Sequence, residues 1–201
     1  MQEVLYKVGK NLYVNLTNKC PCDCTFCLRR SFDTVGESKS LWLEHDADYD
    51  EIMKAFENYP PESYEELVFC GFGEPTENLD VLLEVAKTVR KRWDKRMRIN
   101  TNGMGNLVNK KNIPPLFEGL INTVSISLNN PDPEKFQEMV RCKYKDRPFE
   151  EMIEFARECV KYVDKVIMTT VDTTLSREEE EKCAGICKNI GATYRIRAWE
   201  S

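Results

Sequence analysis

Residues 11–27 read NLYVNLTNKCPCDCTFC, an apolar run that passes directly into a cluster of cysteines. NLYVNLT (11–17) is rich in strand formers and is expected as the first strand of the chain. The cysteines therefore stand at the C-terminal tip of a strand. Five further strand-like runs follow: ELVFCGF (66–72), MRINTNG (97–103), TVSISLNN (123–130), KVIMTTVD (165–172) and ATYRIRAW (192–199). Helical patterns separate them. Ile52, Met53, Phe56 and Tyr59 recur at helical spacing before Pro60 and Pro61, and Leu79, Leu82, Leu83, Ala86, Val89 and Trp93 share one face. A broken helical region precedes PPLFEGL (114–120). Asp132 is a candidate cap with Pro133 just inside its helix, residues 149–163 form another helix, and Ser176 with Glu179 makes a capping box for a helix that Gly191 stops.

Six strands separated by helical segments, with no linker or low-complexity stretch, imply βα units around a parallel sheet in one domain spanning 1–201. A full eight-stranded barrel takes about 250 residues, so an open doubly wound sheet and an incomplete barrel are the two candidates. Both carry function at the C-terminal strand ends. Position thus favours chemistry over packing for the cysteine loop.

Composition narrows the chemistry. The 201 residues carry a net charge of −5, with the basic residues dispersed, so strong nonspecific nucleic-acid binding is not expected. No apolar run of about 18 residues and no leader pattern is visible, so a cytoplasmic protein without a membrane association is expected. The cysteines number nine, an odd count in a long chain of alternating elements, which argues against a disulfide framework. Clustered cysteines in a reducing compartment are metal ligands or catalytic thiols. Cys20, Cys24 and Cys27 follow a Cys-x3-Cys-x2-Cys spacing, short enough for one loop to wrap one metal centre, and thiolates suit iron–sulfur clusters or zinc. A structural zinc site normally shows two ligand pairs, which this chain lacks. The sole histidine, His45, reads as a solvated loop residue.

On these residues the chain resembles the radical S-adenosylmethionine superfamily. The resemblance implies an α/β fold, a partial (β/α)6 TIM-like barrel of parallel strands. It implies a 4Fe-4S cluster on Cys20, Cys24 and Cys27, with Phe26 at the aromatic position of the motif and S-adenosylmethionine on the fourth iron. FCGFGEPT (69–76) is similar to the Gly-Gly-Glu-Pro motif that supports the cofactor's amino group, with one glycine replaced. Gly71, Gly73 and Glu74 map there. Thr101 and Asn102 map to the methionine carboxylate, Ser127 and Asn129 to the ribose, and Thr169 and Thr170 to the edge of the adenine pocket, which RIRAW (195–199) completes. The resemblance further implies reductive cleavage to a 5'-deoxyadenosyl radical that abstracts hydrogen, and an electron donor such as flavodoxin or ferredoxin. Within the superfamily, LYVNLTNKCPCDCTFCLRR, LWL (41–43) and CGFGEPT most resemble the TatD-associated radical SAM proteins. A noncatalytic iron–sulfur or zinc module and an activase acting on a partner protein are the alternatives.

Other residues have plainer readings. Cys183 and Cys187, four apart on the last helix, read as buried small hydrophobes, and Cys70 as a barrel-interior residue. Arg29 and Arg30 either sit on the surface or position an anionic substrate or reductant. The polar stretch 31–40 has no apolar anchor before Leu41, so a bulky substrate or a protein, rather than this loop, is expected to cover the barrel mouth.

Overall fold

The strands of the computed structural model lie side by side in chain order, β1 to β7, and the structure describes residues 2–144 and 146–198. β1 (Leu5–Val8) turns back at Gly9, whose φ is 58°, and pairs antiparallel with β2 (Asn11–Val14). β2, β3 (Leu67–Phe69), β4 (Met97–Thr101), β5 (Thr123–Ser127), β6 (Lys165–Val171) and β7 (Thr193–Arg197) are all parallel. Crossovers of one hand between neighbours taken in order put every helix on the same face. This is the winding of an incomplete barrel and not of a doubly wound sheet, as the partial (β/α)6 reading expects.

The sheet gains one strand over that expectation. LYKV is only four residues long and ends at a turn, so it becomes a strand by pairing with β2 and not by its own pattern. The first expected strand stops at Val14 and not at Thr17, because side chains take over there. Asn15 Nδ2 donates to the Leu41 carbonyl at 2.8 Å, and Thr17 Oγ1 donates to Asp46 at 2.6 Å. Of the RIRAW segment, Trp199 lies outside the described residues.

Strand alternation gives the sheet two different faces. On β4, Met97, Ile99 and Thr101 are buried beneath the helices, whereas Arg98 and Asn100 are half-buried on the other side. The helix-side core is apolar: Leu82, Val85 and Val89 of α2 (Leu79–Trp93) and Met152 and Phe155 of α5 (Pro148–Cys159) are sealed from solvent. Each such side chain contributes about 1.5–3 kcal/mol relative to exposure. α1 (Tyr49–Ala55) and α3 (Gly105–Asn109) are short, and α4 (Pro133–Val140) and α6 (Arg177–Ile190) complete the layer. Cys183 and Cys187 face this core from α6, where burial pushes their thiols up to about 12 and about 11. They pack as small hydrophobes, and all nine cysteines are free thiols. Among the described residues no helix is long and apolar enough to cross a membrane.

The sheet also curls. In a flat sheet with strands about 4.8 Å apart, β3 and β7 would be about 19 Å apart. The Arg197 charge on β7 nevertheless acts on the Cys70 thiol just past β3, so the uncovered face is concave.

Helix ends follow the expected capping chemistry. The Asp132 carboxylate accepts the Glu134 and Lys135 amides, both at 3.0 Å, Ser176 and Glu179 close a capping box, and Gly191 ends α6 at φ 86°. Asp132→Ala should cost about 1 kcal/mol. Thermal unfolding followed by circular dichroism should then show a Tm lower by about 2–4 °C.

Candidate functional site

The cysteine loop leaves the tip of β2 and lies across the C-terminal ends of β3 and β4. Two glycines allow this. A Cβ on Gly73 would stand 2.2 Å from the Thr17 carbonyl oxygen and 2.6 Å from that of Lys19, and one on Gly71 would meet Asn15 Oδ1 at 2.0 Å. Both carbonyl contacts at Gly73 are backbone and cannot swing away. The close approach that Gly73 permits is thus made by the chain's own loop. The Glu74 amide then donates to the Lys19 carbonyl at 2.8 Å and pins the two segments together.

Arginines staple the loop from within. Arg29 donates from Nη1 to the Asn18 and Phe72 carbonyls at 3.3 and 3.4 Å and from Nη2 to the Cys22 carbonyl at 3.2 Å. Arg30 donates to the Cys24 and Asp23 carbonyls at 2.9 and 3.2 Å. Of the two roles open to this pair, the structure gives both a place in the loop's own framework.

Cys20, Cys24 and Cys27 are half-buried, as is Phe26 between the last two. A hydrogen bond from Cys22 draws the Cys20 thiol below its usual range, with Arg29 assisting, whereas burial raises Cys27. Cys22 is different. It is 4% exposed and held protonated by the sulfurs of Cys142, Cys20 and Cys24 around it. The Asp23 amide donates to Val140 at 3.0 Å and the Lys143 amide to Pro21 at 2.8 Å, which brackets Cys22 against buried Cys142. That contact joins the loop to the exit of α4, and no spacing in the sequence foretells it.

Glu74 is the hub of the strand tips. It is 3% exposed; Oε1 accepts Thr101 Oγ1 at 2.7 Å, Thr76 Oγ1 at 2.8 Å and the Thr76 amide at 3.2 Å, and Oε2 accepts the Asn102 amide at 2.8 Å. Burial outweighs these donors and holds the carboxyl above its usual range. Thr101 and Asn102 thereby position Glu74. Asn102 also reaches outward, its Nδ2 lying 3.6 Å from Cys20 Sγ.

The remaining expected residues divide between the faces. Ser127 is half-buried on the concave side, opposite Thr169 in the ladder. Asn129 follows in a left-handed turn at φ 59°, and its amide donates to the Thr169 carbonyl at 3.2 Å. Thr170 turns the other way. Its hydroxyl bonds Tyr194 at 2.7 Å under α6, so strand alternation leaves Thr169 as the member of this pair that faces the concave side.

Stretch 31–40 is mostly exposed, yet Val35 packs against Tyr6, Leu41 and Phe72, supplying the apolar anchor that the expectation lacked. Trp42 stacks edge-on to Phe72 at 5.2 Å and donates to Asp33 at 3.0 Å.

The donor set fits an iron–sulfur cluster: three free thiols on one short, backbone-stapled loop, with an amide donor beside one sulfur. Among the described residues no three His, Cys, Asp or Glu side chains converge as a single metal ion requires. A cluster is ligated one iron per thiolate and asks for a wider spread.

A curled parallel sheet with three thiols at the tip of its first parallel strand, clamped to a Gly-Glu-Pro turn on the next, defines a cofactor-binding α/β half-barrel. Residues 14–147 match the Radical SAM superfamily model, and the chain belongs to that superfamily, whose members bind a 4Fe-4S cluster and S-adenosylmethionine. Among solved structures, Streptococcus suis SuiB bound to precursor peptide SuiA is similar at TM-score 0.69 and 15% identity, over 98% of this chain and 40% of that one. A radical SAM methyltransferase from Sphaerobacter thermophilus is similar at 0.67 and 14%, over 98% and 69%. Methylornithine synthase is similar at 0.64 and 13%, over 94% and 53%. The chain thus spans 40% of the length of SuiB and about two thirds of that of the methyltransferase. No curated protein matches the chain in sequence.

Glu74→Ala would strip the acceptor from four buried donors, at a cost of about 3 kcal/mol. The Tm of the protein should fall by about 6–12 °C, with Glu74→Gln losing less.

Proposed function

We propose that the chain is a radical S-adenosylmethionine enzyme whose cluster is held by Cys20, Cys24 and Cys27. The observation that carries this reading is the loop itself, three half-buried thiols fixed to the ends of β3 and β4 by Gly73, Glu74 and Asn102. The chemistry supplied when cluster and cofactor are bound is one-electron reductive cleavage of S-adenosylmethionine to a 5'-deoxyadenosyl radical, which abstracts hydrogen from a substrate. A flavodoxin or ferredoxin serves as electron donor.

The chain's own residues do the positioning. Asn102 directs an amide at Cys20 Sγ, where a hydrogen bond lowers electron density on the ligand and tunes the potential. Glu74 acts from below the surface: its carboxylate is spent on Thr76, Thr101 and Asn102, so it shapes the turn at 71–73, which would receive the amino group of a bound cofactor. Phe26, Ser127, Asn129 and Thr169 border the pocket. A bulky or peptide substrate suits the concave face, and the precursor peptide bound to similarly folded SuiB supports that choice. The subgroup assignment, to the TatD-associated proteins, rests on the motifs that follow β2 and β3 and on LWL at 41–43.

Anaerobic reconstitution with iron and sulfide, then S-adenosylmethionine and dithionite, should yield 5'-deoxyadenosine. Ser at Cys20, Cys24 or Cys27 should abolish the bound iron and visible absorption, whereas Cys22→Ser should keep both, since Cys22 stands outside the Cys-x3-Cys-x2-Cys spacing. Iron retained in all three ligand variants, or no 5'-deoxyadenosine from the loaded wild type, would refute the proposal.

A further inference from the structure

The interior of a closed (β/α) barrel is filled with Val, Ile and Leu. Here the corresponding concave face is largely polar. The ladders place Arg98 beside Val68, Asn100 beside Ser125, Ser127 beside Thr169, Thr169 beside Arg195, and Val171 beside Arg197. Residues of one register row share a face, so three arginines look into one concavity. Their charges are unequally matched. Arg98 Nε donates to Glu66 at 2.8 Å and Nη1 to Asn100 Oδ1 at 3.1 Å, in a pair only 12% and 19% exposed. The guanidinium groups of Arg195 and Arg197 make no hydrogen bond or ion pair with any described residue, although their backbones are held in the β6–β7 ladder. Among the described residues the carboxylate paired with an arginine of this face is Glu66, on Arg98.

The opposite wall is apolar. Tyr6, Leu41 and Phe72 pack together with Tyr13 and Val35, beside the β1 edge. The face therefore runs from an aromatic wall at β1 to unmatched guanidinium groups at β7. Between them burial holds the Cys70 thiol above its usual range, opposed by hydrogen bonds with Asn100 and Tyr6 and by the charges of Arg98 and Arg197. Guanidinium pairs best with planar or tetrahedral oxyanions through parallel N–H donors.

We propose that Arg195 and Arg197, next to the pocket that Ser127 and Thr169 border, form an oxyanion subsite for a carboxylate or phosphate carried by the substrate. This rests on the radical enzyme reading for what the substrate is, but the anion subsite itself needs no cluster.

The test is a titration of the full chain, labelled with 15N in its arginine side chains, with sodium phosphate in one arm and sodium succinate in the other at constant ionic strength. Saturable shifts of the Arg195 and Arg197 Nε–Hε signals, assigned through Arg195→Gln and Arg197→Gln, are expected. Affinity should fall at least tenfold in Arg197→Gln, with circular dichroism confirming that each variant is folded. The arm with the tighter response assigns phosphate or carboxylate. No saturable shift in either arm, or equal affinity in wild type and both variants, overturns the subsite. So does S-adenosylmethionine alone producing the same shifts, because the arginines would then hold the cofactor. Anion binding without 5'-deoxyadenosine formation counts against the enzyme reading alone, and 5'-deoxyadenosine formation without anion binding counts against the subsite alone.

Discussion

The carboxylate of Glu74 is the point on which the strand tips converge. It collects donors from its own turn through Thr76 and from β4 through Thr101 and Asn102, while its amide holds the Lys19 carbonyl of the cysteine loop. The side chain ties its own turn to the end of β4, and the backbone amide of the same residue ties both to the cysteine loop. A group so placed must have every lone pair met, since an unmet acceptor or donor in this environment costs more than a made bond gains. The geometry of the thiols, of Asn102 and of the 71–73 turn all descend from that requirement.

Much of the fold was legible because its signals are local. The helix pattern of α2, the Asp132 cap and the Ser176–Glu179 box are short-range statements that packing did not overrule. The cysteine spacing was legible for the same reason. What the sequence hid depends on long-range pairing. β1 exists by virtue of β2, and Cys22 is buried because residues 139–143 come alongside it. Neighbouring threonines at 169 and 170 look equivalent as letters, yet pleating sends one to the concave face and the other under α6. Glu74 maps to the turn that supports the cofactor's amino group, and only the positions of Thr76, Thr101 and Asn102 show that its carboxylate is also engaged inside the chain. Val35, a single apolar letter in a polar stretch, anchors its loop through partners that lie far away in the chain.

The two faces of the sheet divide the labour. The helix side is apolar and sealed, and supplies the burial that keeps the sheet curled. The concave side has given up that contribution in favour of Arg98, Asn100, Ser125 and their neighbours, which would be an expensive choice for a face meant to pack. Curling then brings β7 within electrostatic reach of β3.

Gly73 is held by two backbone oxygens that no rotamer change can move, so the cofactor end of this fold is constrained at the level of a single missing methyl group. The arginine face is constrained only by side chains, several of them half-exposed on an edge strand. Substitution can therefore rewrite the concave face while the strand tips stay as they are. The scaffold thereby separates an end fixed by its backbone from a face defined by its side chains, and the second can be altered without disturbing the first.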